Sequence, residues 1–301
     1  MSKFKFEEID KTLLPKTKGK SIDGHRFYAI GEKNYPSVTT VLNIRKKEGL
    51  VQWRKNVGEG AANWEMGRAA RRGTATHKLI EQYLKGETPS ERSVLPIGLF
   101  RLLKPYVDQV NNIHLLEACM FSHKLTIAGQ VDCVAEYNGK LSVIDFKTAN
   151  KERQESWIEN YFLQTTAYAI MYEEIFGKPI EQIVILLAGE DGSVACYKKN
   201  PNDYKESLGK AIQDFYKYYE ELNKDKVYLG EQIILTYKIY RKVECSIEPF
   251  EIPKFPGFWA EEIFRPNQIK FKNISLNGVN YQKGTLYKVA LFPISGKEHV
   301  L

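Results

Sequence analysis

The spacing of apolar positions along this 301-residue chain changes character several times. Up to about Gly24 the residues are mostly polar, which predicts a loose N-terminal segment. From His25 to Tyr35 the pattern predicts a short hairpin turning at Gly31, and Pro36-Ser37 then opens a helix over Val38 to Asn43. A helical period runs from Gly49 to Arg71, breaks at Gly73-Thr74, and resumes from Ala75 to Leu84 with Leu79, Ile80 and Leu84 on its apolar side. Ile97 to Ile113 continues helical, with Pro105 as the point of kinking.

Beyond this the pattern changes to strands. Leu115 to Ser122, Leu125 to Glu136 and Leu141 to Lys147 read as three of them, and Asn138-Gly139 is a type I′ hairpin signal. A long helix over Gln154 to Phe176 is stopped by Gly177 and Pro179, and Ile183 to Ala188 is an apolar run suited to a buried strand. Asp191-Gly192 turns into a strand over Ser193 to Lys198, and Pro201 starts a helix reaching about Asn223. This order predicts an α/β class: a mixed central β-sheet flanked by helices. We place that domain at residues 25–226, after the loose segment 1–24. From Val227 onward helix signals are few, which predicts a separately organised β-rich extension over residues 227–301.

Composition narrows the function classes. Apolar residues make up 43% of the chain. No stretch holds the roughly 18 uncharged apolar residues of a membrane span, so a soluble protein with no membrane partner is expected. Forty-four Lys and Arg against 37 Asp and Glu leave +7. That sign suits a polyanion, and an ordinary basic surface explains it equally well. Cys119, Cys133, Cys196 and Cys245 are far apart and form no Cys-x-x-Cys pair, so no iron–sulfur cluster is expected. The opening residues match neither a secretory signal nor an Arg-rich transit peptide, and a cytoplasmic address is expected.

Candidate chemistry concentrates between Gly129 and Lys147. Asp132 and Asp145 lie on opposite sides of the two-residue turn, so a hairpin register can bring their carboxylates together. Lys147 shares the face of Asp145, and Phe146 points to the other. Two carboxylates suit a hard divalent cation, which phosphodiester hydrolysis uses to neutralise charge and activate water. Lys147 can hold or deprotonate that water, or stabilise the developing charge. An Asp-x-Lys pair occurs often by chance on exposed hairpins. Here, however, Val131, Val143 and Ile144 set both aspartates among apolar residues, where charge is costly without a metal or a partner.

Gly-Gln-Val-Asp132, the hairpin, and Ile-Asp145-Phe-Lys147-Thr148 resemble the signature of the PD-(D/E)xK nuclease superfamily. Arg72-Gly-Thr-Ala-Thr-His77, with Glu81 one turn later, resembles the upstream histidine motif of its RecB-type branch, and Gln164-Thr-Thr-Ala-Tyr168 its downstream Gln-x-x-x-Tyr motif. Within that branch, residues 25 to 222 are most similar to the mitochondrial genome maintenance exonuclease group with its bacterial and phage relatives. The resemblance implies a restriction-endonuclease-like core and a Mg²⁺- or Mn²⁺-dependent exonuclease of single-stranded DNA that leaves 5′-phosphates. His77, Asp132, Asp145 and the Phe146 carbonyl would hold the metal, Lys147 would handle the water, and Gln164 with Tyr168 would position the substrate. It also implies work beside proteins of DNA replication, repair or recombination.

Other readings stay open at individual positions. Glu81 is a further carboxylate or a solvated helix residue, and Glu117 a ligand or an edge-strand charge. Arg54, Lys55, Arg68, Arg71 and Arg72, interleaved with Trp53 and Trp64, are candidate DNA contacts together with Thr148, or an ordinary basic helix surface over core tryptophans. A duplex-processing exonuclease or endonuclease with the same site, and a non-catalytic nucleic-acid-binding module, are the rival functions.

Overall fold

The computed structural model describes residues 3–22, 24–223, 229–246, 253–276 and 279–294. They form two compact units, Met1–Lys217 and Tyr218–Leu301. Residues 224–228, where the sequence places the domain boundary, lie outside the described ones.

The first unit opens with an antiparallel sheet of β1 (Lys20–Ile22), β2 (His25–Ile30) and β3 (Lys33–Pro36). The expected hairpin turns at Gly31, whose φ is 59°. Ser37 caps α1 (Val38–Asn43), its hydroxyl accepting the Thr40 N–H at 3.0 Å. Phe4 packs in the main core, and the backbone of Lys5 and Glu7 bonds to Ile113 on either side of Phe6.

The helical region divides at Gly58, with φ 84°, into α2 (Lys47–Val57) and α3 (Glu59–Lys85). The expected break at Gly73-Thr74 does not occur, and α3 runs through it for 27 residues. One interior glycine costs a helix only about 1 kcal/mol, and the contacts of Arg72, Thr76 and Leu79 on either side outweigh that. After α4 (Val94–Val107) comes β4 (Val110–Ser122), so the chain turns to strand at Val110, inside the stretch expected to stay helical. Val110 to Ile113 pairs with Tyr137 to Ala135, a partner too far along the chain for local periodicity to reveal.

The central sheet has the order β4, β5 (Ile127–Tyr137), β6 (Lys140–Ala149), β7 (Gln182–Gly189), β8 (Val194–Lys199). Only β6 and β7 are parallel, and α5 (Glu159–Phe176) makes the crossover between them. Asn138 and Gly139 both take positive φ, 52° and 76°, as a type I′ turn requires. Leu79, Ile80 and Leu84 of α3 with Leu99 and Leu103 of α4 pack on the sheet face that carries Cys133, Ile144 and Phe146. On α5 every residue from Phe162 to Ala169 is buried. The mixed sheet between helices is thus the architecture expected. The helix α6 (Lys205–Asn223) follows a 3-10 turn that begins at Pro201.

The second unit is β-rich. Its four-stranded antiparallel sheet has β12 (Val279–Pro293) between β10 (Phe258–Phe264) and β11 (Lys272–Leu276), and β9 (Ile233–Arg241) also pairs with β12. Tyr287, Val289 and Leu291 meet Ile233, Leu235 and Tyr237 in its small core. Among the described residues no helix is long and apolar enough to cross a membrane.

Candidate active site

Strands β5 and β6 pair from Tyr137 opposite Lys140 to Cys133 opposite Ile144. Just past that ladder a side chain takes over the bonding: Asp132 Oδ2 accepts the Phe146 N–H at 2.9 Å. Asp145 follows on the same strand end and is 1% exposed. The Lys147 ammonium stands 2.6 Å from Asp145 Oδ2, yet neither oxygen of Asp145 makes a directed hydrogen bond. Burial pushes the Asp145 carboxyl up to about 6, against the pull of Lys147. For Lys147 burial works against the charge, but Asp145 and Asp132 outweigh it and raise its pKa above the ordinary lysine value. The ammonium therefore keeps its proton beside two carboxylates.

From the opposite side α3 delivers His77. Its Nε2 lies 2.6 Å from the Phe146 carbonyl oxygen, which can only accept, so this nitrogen carries a proton. Nδ1 then faces Asp132 Oδ2 at 3.5 Å and Glu117 Oε1 at 3.9 Å. One ligating atom from each of His77, Glu117 and Asp132 falls within 4.8 Å of the others. A lone pair aimed at two carboxylates is repulsive unless a proton or a cation joins them. The donor set of one imidazole and two carboxylates therefore fits a divalent ion, Mn²⁺ better than Mg²⁺ because of the imidazole.

Glu117 takes the left-handed backbone conformation (φ 48°) opposite Asp132, a costly state for a residue other than glycine. Gln130 Nε2 donates to its Oε2 at 2.6 Å. Burial, then the Asp132 charge, push its carboxyl up to about 7. Glu117 thus joins the cluster with His77 and Asp132, whereas Asp145 stands outside that trio and is held by Lys147. Glu81 lines the same cavity of about 440 Å³ as His77 and Glu117, but binds Lys85 at 2.5 Å.

On α5, Gln164 and Tyr168 are one turn apart, and the Gln164 side chain pulls the Tyr168 pKa down against larger raising effects. Burial and the charges of Asp132 and Asp145 hold the Tyr168 phenol well above its usual pKa, so it remains an O–H donor. Gly129, the first residue of the Gly-Gln-Val-Asp132 segment, makes room for the Tyr168 ring. A Cβ at Gly129 would lie 2.8 Å from the Tyr168 hydroxyl and 3.0 Å from Cε1. A glycine inside a strand pattern was the available signal, since it often marks a close approach.

The candidate DNA contacts fare differently from one another. Arg72 is buried and donates to Thr148 Oγ1 at 3.2 Å, to Asn150 Oδ1 at 2.6 Å and to Glu190. Its guanidinium is spent on fixing α3 to the ends of β6 and β7, and so is the Thr148 hydroxyl. Arg68 also pairs with Glu190 and stacks over Trp64. Arg54 donates to Asn63 at 2.8 Å, while Lys55 and Arg71 are exposed. Glu190, 118 residues from Arg72, went unnoticed because nothing local connects the two.

Known proteins resemble this chain over part of its length. Residues 99–229 match the model of the PD-(D/E)XK nuclease superfamily. Mitochondrial genome maintenance exonuclease 1 of Homo sapiens is 31% identical over 176 residues, covering 53% of this chain and 51% of that protein. Its Mus musculus counterpart is 28% identical over the same shares. The Xenopus tropicalis protein is 33% identical over 103 residues, 33% of this chain and 29% of its own. This chain thus spans about half the length of the human and mouse proteins it matches. A crystal structure of an inferred exonuclease from Eubacterium rectale overlays 52% of this chain and 67% of its own. At TM-score 0.37 and 11% identity that likeness carries no argument. The matched segment contains Asp132, Asp145, Lys147, Gln164 and Tyr168, and over residues 99–229 this chain is similar to the PD-(D/E)XK nuclease superfamily.

Proposed function

We propose that this chain is a divalent-metal-dependent DNA exonuclease of the cytoplasm that acts on single strands with a free end and leaves 5′-phosphates. One observation carries the reading: His77, Glu117 and Asp132 converge beside a buried Asp145–Lys147 pair at one strand end. The exonuclease names of the relatives and the RecB-type motifs support the mode of action.

His77, Glu117 and Asp132 would hold Mg²⁺ or Mn²⁺, with Asp145 and the Phe146 carbonyl next to them. When bound, such an ion supplies charge neutralisation at the scissile phosphate and a more acidic water. Lys147 keeps its proton, so Nζ acts as a donor that orients the attacking water and stabilises the growing charge on the phosphoryl oxygen. The neutral Tyr168 hydroxyl, with Gln164 one turn away on α5, would orient the substrate from that side. His77 donates Nε2–H to the Phe146 carbonyl and thereby fixes which nitrogen faces the carboxylates.

A labelled single strand, linear or covalently closed, tests the reading in Mn²⁺ and in Mg²⁺. The linear form should be degraded to 5′-phosphorylated products and the circle should persist. Rapid cutting of the circle would favour the endonuclease. Lys147→Ala should slow the linear reaction by roughly 10²- to 10³-fold, the usual loss for one transition-state donor. Undiminished activity in that variant would sink the mechanism.

A further inference from the structure

A groove of about 920 Å³ opens beside the catalytic strands. Leu50, Trp53, Val57 and Met66 line it from α2 and α3, and Trp157 and Tyr161 from the segment after β6 and the start of α5. Trp157 is 55% exposed and Leu50, Val57 and Met66 more than 40%, so these side chains complete no core. Lys147 Nζ lies 5.1 Å from the centre of the Tyr161 ring, which joins the groove to the Asp145–Lys147 pair. Lys151 and Arg153 add cationic charge along the same lining, which also holds Glu152 and a Glu65 paired with Arg68.

Flat aromatic walls beside cations match one polyanion in particular, a nucleic-acid strand whose bases are unstacked. Each base offers a π-face to an indole or phenol whatever its identity, while ammonium and guanidinium groups take the phosphates. Paired bases are stacked on one another and have no free face, and freeing them costs unstacking energy.

We propose that this groove is a base-docking track: unstacked bases flanking the scissile phosphate stack on Trp157, Trp53 and Tyr161, and the groove thereby selects unpaired DNA. The inference rests on the nuclease reading above and adds the residues that grip the bases. It separates two contributions: the cations hold the phosphates of any strand, and the aromatic walls hold only strands that carry bases.

The test measures binding by the full chain in chelator, where no cleavage occurs. One labelled oligothymidylate is compared with an oligonucleotide of equal length and charge whose central nucleotides are abasic. The thymidylate should bind more tightly by roughly 5- to 150-fold, the range of losses on removing one base–aromatic stack. Trp157→Ala should lose most of that difference, and Trp157→Phe should retain it. In cleavage assays Trp157→Ala should raise KM more than it lowers kcat. Equal binding of the two oligonucleotides by the unmodified chain would overturn the proposal, as would undiminished discrimination by both Trp157→Ala and Trp53→Ala. A failure of the nuclease reading shows separately, as absence of cleavage once metal is restored. An apolar peptide occupant would show as groove-dependent binding of neither oligonucleotide.

Discussion

Replacing Gly129 by alanine adds one methyl group at the point where β5 passes the Tyr168 ring. The new Cβ would sit 2.8 Å from Oη, 3.0 Å from Cε1 and 3.3 Å from Cζ. Comfortable contacts begin at roughly 3.5 Å, so the ring or the strand must move by about 0.5 Å or more. Gly129 lies outside the left-handed region, so backbone conformation adds nothing to the cost. Tyr168 is 3% exposed and α5 is packed on most sides, so the ring has little room to retreat. Overpacking of this kind costs about 1–3 kcal/mol. For a unit of this size that lowers Tm by roughly 2–12 °C. Displacing Tyr168 also disturbs Gln164, and a misplacement near 1 Å at a reacting centre costs about 10²-fold in rate. Thermal melts and initial rates on a linear single strand measure the two effects. Gly129→Ala combined with Tyr168→Phe removes the 2.8 Å contact and should recover part of the lost stability, a coupling of about 0.5–3 kcal/mol. A Gly129→Ala protein with unchanged Tm and rate would refute the close-approach argument.

Other predictions follow from the same charges. In chelator, stability should fall as pH rises from about 4 to about 7, because Glu117 (about 7) and Asp145 (about 6) hold protons in the folded chain that unfolded carboxyls release near pH 4. Denaturant melts across that window check this, and Glu117→Gln should flatten the slope. Mn²⁺ at about 100 times its Kd should stabilise the unmodified chain by about 2.7 kcal/mol and Asp132→Asn by much less, read as a thermal shift. Glu190→Gln should cost about 1–3 kcal/mol, since it takes the ionised partner from buried Arg72, and should also weaken Mn²⁺ binding measured by titration. Asp108 accepts from Lys3, Tyr83 and Lys104, which hold its carboxyl down at about 2 despite partial burial. Asp108→Asn should therefore be less stable at neutral pH, and the deficit should vanish as pH falls from about 4 to about 2 in acid titration.

What the sequence disclosed follows a physical division. The Asn138-Gly139 turn, the Gly177 helix stop and the Ser37 cap are decided within a few residues, and each was legible. Asp132, Asp145 and Lys147 stood out because charge among valines and isoleucines demands a reason. The unbroken α3, the strand beginning at Val110 and the grip of Glu190 on Arg72 depend on partners far along the chain, which no local period encodes. Glu117 was legible as a carboxylate, but its left-handed backbone was not, since no local pattern marks a positive φ at a glutamate inside a strand.

The unbroken course of α3 would couple the two proposed binding events. Met66 on the groove wall and His77 among the carboxylates share one helix, 11 residues apart and so about 16 Å along its axis. A strand docked in the proposed groove would bear on the same helix that positions His77. Any gain in metal affinity on loading the strand has to be repaid by an equal gain in strand affinity on loading the metal, whichever arrives first.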